Sequence, residues 1–96
     1  MTGETREWDP VRYLRDDEDV LAYLDAAFED GDPALIAAAI GDVARARGMA
    51  KVAQETGKSR ENLYRALSGQ GDPQLSTFVS VLGALGLKLR VHKAEA

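Results

Sequence analysis

The stretch MAKVAQETGKSRENLYRALS, residues 49–68, decides the fold of this 96-residue chain. It predicts two short helices joined at Gly57, because glycine can adopt the positive φ that a tight turn between helices demands. Ala53 is small where the two helices would approach most closely, and Val52 and Leu63 are apolar where the pair must pack on the preceding helix. The stretch therefore predicts a helix-turn-helix unit with one side of its second helix exposed.

The residues on either side of this stretch predict further helices. Asp-Pro pairs at 9–10, 32–33 and 72–73 each combine an N-cap residue with a proline suited to a first helical turn, and Asp16 or Asp17 can cap another helix. The first pair starts only a short turn. The apolar residues of the longer helices recur at helical spacing: Val20, Leu21, Leu24, Ala27 and Phe28; Leu35, Ile36, Ala39, Ile40 and Val43; and Leu75, Phe78, Val79, Leu82 and Leu85.

The end of the chain predicts a strand. Leu87, Leu89 and Val91 alternate with polar residues over Leu87–His92, which is the period of a half-buried strand. A lone strand cannot satisfy its own backbone hydrogen-bonding groups, so we expect it to pair. A second copy of the chain is the simplest partner.

Together these elements predict an all-α fold, a five-helix helix-turn-helix domain with a short C-terminal strand. We expect residues 1–31 to form an acidic helical segment packed on the same domain, and residues 32–92 to form the helix-turn-helix domain with its terminal strand. The large aromatic residues Trp8, Tyr13 and Phe28 are expected in the core, since each ring would bury substantial apolar area.

Charge is divided unevenly along the chain. The net charge is −4, but residues 1–32 carry eleven acidic and three basic side chains, and residues 33–96 carry five acidic and nine basic ones. Six of the basic residues fall within 45–65, against two acidic ones. Because exposed charges beyond roughly 8–10 Å are screened by salt, the local positive field matters more than the net charge. This favours contact with nucleic acid there, and leaves the acidic N-terminal third to face away from DNA or to meet a basic protein.

The second helix of the unit would present a polar outer side that fits the major groove. Arg60 and Arg65 can each pair with guanine through two hydrogen bonds, and Asn62 can pair with adenine. Glu61 can accept from a cytosine amino group or orient a neighbouring arginine. The same pattern is also typical of a solvated helix face in proteins that never touch DNA. The predicted DNA-contacting residues, including those suited to phosphate contacts, are Met49, Lys51, Lys58, Ser59, Arg60, Glu61, Asn62, Tyr64 and Arg65.

Residue types that carry catalysis or bind metals are scarce. There is no cysteine, and the single histidine, His92, is expected on the surface of the terminal strand. The consecutive carboxylates Asp16–Asp19 would point in different directions, without the spacing of a calcium loop. We therefore predict no enzyme activity, no metal site and no cofactor. No apolar run approaches the roughly 20 residues that span a bilayer, so we expect no membrane association and a cytoplasmic location.

Four stretches of the chain resemble a known family. They are DPVRYL (9–14), DDEDVLAYLDAAFEDGDPALIAAAIGDVARARGMAKVAQETG (16–57), SRENLYRALS (59–68) and LGALGLKL (82–89). On these the chain resembles the HigA-like addiction-module antidote proteins, within the Cro/C1-type (XRE) helix-turn-helix group. The glycine-rich Gly69–Gly71 and the following Asp72–Gln74 depart from the pattern, which affects the placement of the last helix.

The resemblance implies an antitoxin of a type II toxin–antitoxin module. Such a protein neutralises a RelE/HigB-like toxin and, as a homodimer, represses its own operon by binding double-stranded operator DNA. The acidic N-terminal third would suit a basic toxin by charge. Two alternatives remain open: a stand-alone repressor of the XRE type, and a toxin-binding module with little DNA binding of its own.

Overall fold

The computed structural model describes residues 9–95, and in these residues it has one 3-10 helix and five α-helices. The 3-10 helix is Pro10–Tyr13, and the α-helices are α1 (Asp17–Asp30), α2 (Pro33–Arg47), α3 (Met49–Thr56), α4 (Arg60–Ala66) and α5 (Leu75–Ala84). The prediction of an all-α chain with five helices is confirmed for the described residues. No helix between residues 9 and 95 is long and apolar enough to cross a bilayer.

Carboxylate caps start the first three helical segments at the predicted residues. Asp9, Asp16 and Asp32 have extended backbones, and each side chain accepts a hydrogen bond from a backbone N–H two or three residues later. Pro33 occupies the first turn of α2. A side-chain cap contributes about 1 kcal/mol to a helix, so these residues explain where the helices begin.

One apolar core joins all five α-helices. Ile40 and Val43 of α2 and Leu63 of α4 are completely buried. Val20 and Leu24 of α1 belong to the same cluster, so the acidic α1 packs on the core that also holds the other helices. The core cluster comprises Val20, Leu24, Ala27, Ala39, Ile40, Val43, Ala44, Met49, Val52, Ala53, Leu63, Leu67, Val81, Leu82 and Leu85.

Polar contacts also connect α1 to α2. The hydroxyl of Tyr23 donates a 2.6 Å hydrogen bond to Oδ2 of Asp42, and Nη2 of Arg45 lies 2.7 Å from Oδ1 of the same carboxylate. Nearer the start of α1, Nη2 of Arg47 lies 2.8 Å from Oδ1 of Asp17. The Tyr23 contact is partly buried whereas Asp17 is largely exposed, so Tyr23 and Asp42 make the stronger link.

Close packing between α2 and α4 depends on Gly41. This glycine is buried within α2, and a Cβ built on it would fall well inside contact distance of the carbonyl oxygen of Leu67. A backbone carbonyl cannot move aside as a flexible side chain can. The end of α4 can therefore reach α2 only because position 41 has no side chain.

The prediction of a C-terminal strand is wrong for the described chain. Residues 87–95 contain neither helix nor strand. Leu87 is half-buried, whereas Val91 is 97% exposed. Alternating residues form a strand only when a neighbouring strand supplies hydrogen-bonding partners, and the residues from 9 to 95 include no strand. Leu87 and Leu89 instead line a groove of about 540 Å³ beside α1.

The last helix begins later than the sequence predicted. Asp72 and Pro73 were expected to start it, but α5 begins at Leu75 and its N-cap, Gln74, makes no side-chain capping bond. The first turn closes where the N–H of Phe78 donates to the carbonyl oxygen of Gln74 at 3.0 Å. Pro73 lines an apolar groove with Phe78 instead of entering the helix. An Asp-Pro pair favours a helix start nearby, but backbone hydrogen bonds decide the residue.

The predicted positions of the aromatic residues need correction. Tyr13 is 55% exposed and Phe28 is 37% exposed, so neither is a core residue. Phe28 makes an edge-to-face contact with Phe78 at 6.2 Å between ring centroids. Trp8 lies outside the described residues. An apolar stripe on a short helix can be wider than the strip its neighbours cover. Four aliphatic residues of the predicted stripes are exposed for the same reason: Leu21, Leu35, Leu75 and Val79.

The close approach at Gly41 makes a stability prediction. Gly41→Ala should lower the free energy of unfolding by about 2 kcal/mol or more, because the new Cβ forces backbone apart in a packed core. Gly69→Ala is the control, since Gly69 lies in the turn after α4, does not have a positive φ, and its Cβ would meet nothing within 4 Å. That control should be neutral or stabilising by up to about 1 kcal/mol. Urea unfolding measures both, and equal effects would contradict the α2–α4 packing.

The Tyr23–Asp42 contact makes a pH-dependent prediction. Burial and the hydrogen bond to Asp42 raise the pKa of Tyr23 above the 10.0 that is usual for a tyrosine. The folded state then keeps a proton that the unfolded state releases, so this contribution is complete below about pH 10 and is lost as the pH rises further. Tyr23→Phe should cost about 1 kcal/mol at neutral pH.

The difference in unfolding free energy between the wild type and Tyr23→Phe should therefore shrink above about pH 10. Taking the difference cancels the titration of lysines common to both proteins. Denaturant unfolding across this range measures it, and a difference that stays constant through the alkaline range would rule out the proposed role of Tyr23.

Candidate nucleic-acid interface

The chain bends between α3 and α4 at Gly57. The φ of Gly57 is 73°, in the left-handed region that glycine adopts without strain. Its N–H donates to the carbonyl oxygen of Ala53 at 2.9 Å, and the N–H of Lys58 donates to the same oxygen at 3.2 Å. These bonds end α3 and redirect the chain, so residues 49–67 form two helices, as predicted, and not one continuous helix.

Buried apolar side chains hold the two helices on α2. Val52 of α3 is 2% exposed and Leu63 of α4 is completely buried, and both belong to the core cluster. Ala53 is buried as well. The predicted inward positions are therefore confirmed. With Leu63 and Leu67 facing inward, the opposite side of α4 is left to solvent.

The exposed side of α4 carries polar and aromatic groups from its first residue. Oγ of Ser59 accepts a 3.0 Å hydrogen bond from the N–H of Asn62, so Ser59 is the predicted N-cap. Five residues of the helix are exposed, and these are among the predicted contact residues: Arg60, Glu61, Asn62, Tyr64 and Arg65. We call this set the α4 outer side.

Two of these side chains are already in contact. Nη1 of Arg65 donates a 3.2 Å hydrogen bond to Oδ1 of Asn62, one helical turn away. Arg60 forms no ion pair with any other residue in the range 9–95. Arg60 is thus an uncommitted cation at the start of α4, whereas Arg65 and Asn62 behave as a coupled pair.

The remaining predicted contact residues lie close to this surface, with one exception. Lys51 is exposed on α3, Lys58 is half-exposed after the bend, and Ser59 is exposed at the start of α4. Met49 is 4% exposed and belongs to the core cluster. Met49 begins α3 on the face of the helix that packs inward, so its side chain is buried in the core. We therefore exclude the Met49 side chain from the interface.

A polar concavity of about 300 Å³ lies between the start of α4 and α5. Lys58, Ser59 and Asn62 line it, together with Thr77 from α5. No sequence pattern identifies Thr77, because α5 also carries the hydroxyls of Ser76 and Ser80 and nothing in the pattern distinguishes the three. Only the packing of α5 against the α3–α4 pair brings it there. A half-buried hydroxyl beside a lysine suits a phosphate oxygen.

The basic residues between 45 and 65 divide into two groups. Arg45 and Arg47 pair with Asp42 and Asp17, respectively. The Arg47–Asp17 pair connects α2 to α1, whereas the Arg45–Asp42 pair lies within α2. The basic residues left near α4 are Lys51, Lys58, Arg60 and Arg65, which lie on α3, at the bend and on α4. The positive charge available to a ligand is therefore concentrated around the bend at Gly57.

This arrangement can bind planar polar edges and phosphate oxygens. The guanidinium groups of Arg60 and Arg65 can each donate two parallel hydrogen bonds, which neither an ammonium nor a hydroxyl can do. Lys51 and Lys58 supply point charges at the border of the same surface. A seven-residue exposed helix with these groups has the dimensions and chemistry of a major-groove contact.

Comparison with known families supports part of this interpretation. Residues 4–93 match a family described as "Probable addiction module antidote protein". The chain belongs to this family. The match covers nearly the full length, so the acidic N-terminal region and the α3–α4 pair both fall within the family's boundaries. The predicted resemblance to antidote proteins is thereby confirmed at the level of the antidote family.

A relative from Haemophilus influenzae is 38% identical over 95 residues, which is 99% of this chain and 98% of that protein. The relative is described as an uncharacterized protein. The alignment covers almost the whole of both chains, so the two have nearly the same length. The search of solved structures finds no match.

Proposed function

We propose that this chain is a DNA-binding antitoxin that neutralises a RelE/HigB-like toxin and represses the operon encoding both proteins. The observation that carries the proposal is the α4 outer side, where Arg60, Asn62 and Arg65 face solvent on a short helix redirected at Gly57. Membership of an antidote family supports the toxin partner. The proposal includes no catalytic step.

For DNA, we propose that α3 and α4 form a helix-turn-helix of the Cro/C1 type and that α4 enters the major groove. Arg60 would donate two hydrogen bonds to a guanine edge. Asn62 would need both its oxygen and its amide nitrogen to pair with adenine, so it must release Arg65 first. If the pair stays intact, Asn62 instead holds the Arg65 guanidinium in place toward a guanine.

Phosphate contacts would come from the residues around the reading helix. Lys51 lies on α3 and Lys58 at the bend before α4, and Ser59 and Tyr64 are exposed. Such contacts orient a protein on the duplex without reading sequence. We propose that they set the affinity of the complex and that the α4 outer side sets its specificity.

For the toxin, we propose a contact on α1. This helix carries six acidic residues and no basic one. Asp16 caps the helix, Asp17 pairs with Arg47, and Asp19 pairs with Arg15. The carboxylates that remain exposed without a recorded contact in residues 9–95 are Glu18, Asp25 and Glu29. These three are available to a basic protein surface.

Autorepression requires more than one reading helix, because a single short helix contacts few base pairs. We propose a homodimer whose two α4 helices meet successive major grooves, about 34 Å apart, on a palindromic operator. A protein that binds chromosomal DNA and an intracellular toxin would act in the cytoplasm.

Binding to the DNA that lies upstream of the gene for this chain tests the proposed contact with operator DNA. Arg60→Ala should weaken specific binding by about 1–3 kcal/mol and relax preference at one base pair. Lys51→Ala should weaken binding to all sequences and make the salt dependence shallower. Lys88→Ala is the control, since Lys88 is exposed and lines the groove beside α1.

Fluorescence anisotropy at two salt concentrations measures these effects. A uniform loss across all sequences for Arg60→Ala would assign that residue to phosphate and contradict base reading. No DNA binding even at low salt would leave a toxin-binding module only, while DNA binding without any toxin partner would identify a stand-alone repressor.

Removing charge from α1 tests the toxin contact. Glu18→Gln, Asp25→Asn and Glu29→Gln combined should weaken binding of the toxin encoded beside this gene by about tenfold at low salt, since each exposed ion pair contributes about 0.2–1 kcal/mol. The charge-matched control combines Glu55→Gln, Glu61→Gln and Asp72→Asn, which are exposed acids outside α1. Calorimetric titration compares the two triple variants. Equal losses would show only an effect of net charge and would refute α1 as the contact.

A further inference from the structure

The helix α5 differs from the other helices in having no charge. Residues 73–87 contain no acidic or basic side chain, in a chain where 29% of residues are charged. Each of α1, α2, α3 and α4 contains at least two ionisable residues. A helix that borders solvent and carries no charge is unusual for a surface whose only contact is water.

A full side of this uncharged helix is exposed. Leu75 is 74% exposed and Val79, one turn later, is 52% exposed. The exposed residues recur at positions that share one side of a helix: Leu75, Ser76, Val79, Ser80 and Gly83. We call this set the α5 face. The opposite side of the helix is buried through Val81 and Leu82, so the exposure of the α5 face does not come from poor packing.

The apolar surface continues beyond the helix at one end. Leu75 also lines a groove of about 360 Å³ with Phe28, Ile36 and Phe78. One acidic residue, Asp72, borders this groove. The α5 face and the groove together form a continuous and nearly uncharged surface next to the proposed DNA-reading pair, because α5 packs against α3.

We propose that the α5 face is the surface through which two copies of this chain associate. The absence of charge on the α5 face decides which partner fits it. DNA needs cations on its binding surface, and a basic toxin needs anions, but the α5 face has neither. A second copy brings the same uncharged face, and a two-fold axis makes one such patch complementary to itself.

This inference rests on the proposed function in one respect, the need for two reading helices. In a two-fold pair of α5 helices, Val79 and Ser80 lie near the middle of the contact, because they occupy the centre of the face. Since α5 packs on α3, and α3 packs on α4, fixing two α5 helices also fixes the separation of the two α4 helices.

Sedimentation velocity on the full chain tests the assignment. The wild type should be a dimer at micromolar concentration, and Val79→Lys should raise the dissociation constant at least about tenfold, since a lysine would be buried unpaired at the contact. Leu21→Lys is the matched control: Leu21 is a comparably exposed apolar residue, 56%, but lies on α1. This control should remain dimeric.

The assignment is overturned if the wild type is monomeric, or if Val79→Lys stays dimeric. It is also overturned if Leu21→Lys is the variant that dissociates, because that result would place the interface at the groove beside α1. Circular dichroism checks that both variants fold.

A cross-linking measurement gives an independent readout should Val79→Lys fail to fold. The chain has no cysteine, so Ser80→Cys introduces one thiol for each copy. Oxidation should produce a disulfide-linked dimer rapidly with Ser80→Cys and slowly with Ala26→Cys, a control at an exposed position on α1. Equal rates for the two variants would contradict the α5 contact.

Failure of this inference can be told apart from failure of the proposed function. If the chain does not bind DNA or a toxin, the dimer assays still report on the α5 face. If the α5 face is not the interface, the wild type still binds operator DNA, and Val79→Lys binds it with unchanged affinity.

Discussion

The left-handed backbone of Gly57 is the constraint on which the rest of this structure depends. It ends α3 by directing two successive N–H groups to the carbonyl oxygen of Ala53, and it turns the next helix so that Leu63 enters the core. Once Leu63 is inside, helical geometry places Glu61, Tyr64 and Arg65 on the outer side, and Arg60 is exposed in the first turn of the helix. A straight continuation of α3 would carry Leu63 away from α2 and leave the core without its most buried α4 residue.

The charges of the chain serve two separate purposes. Arg47 pairs with Asp17 and connects α2 to α1. Arg45 pairs with Asp42 within α2, and Asp42 also accepts the hydrogen bond from Tyr23 of α1. The charges around the bend and on the outer side of α4 have no such structural use. Because opposite charges within the fold neutralise each other at short range, the positive surface around α4 can coexist with a chain whose net charge is −4.

Three surfaces of different chemistry result from this arrangement: a basic one on α4, an acidic one on α1 and an uncharged one on α5. Each suits a different class of partner by charge alone, which is a way to keep partners from competing for one site. Of the three surfaces, the uncharged one is the clearest in the sequence, since a run of 15 residues without charge spans the whole of α5. The acidic surface is partly used by the fold itself, and only some of its carboxylates remain accessible.

The sequence by itself determined the five helices, the caps of the first ones and the bend, because these depend on residues close together in the chain: Asp16 and Asp32 as caps, Gly57 at the turn, Leu63 pointing inward. The start of α5, predicted at Asp72 and found at Leu75, was not determined in this way. It also indicated which residues of α4 would be exposed. Tertiary structure alone decided what depends on distant neighbours. Gly41 is indispensable only because Leu67 packs against it, Thr77 joins the α4 concavity only through the packing of α5, and Met49 is drawn into the core. The alternating residues 87–92 form no strand, because a strand needs hydrogen bonds to a neighbouring strand and the local sequence pattern cannot provide that neighbour.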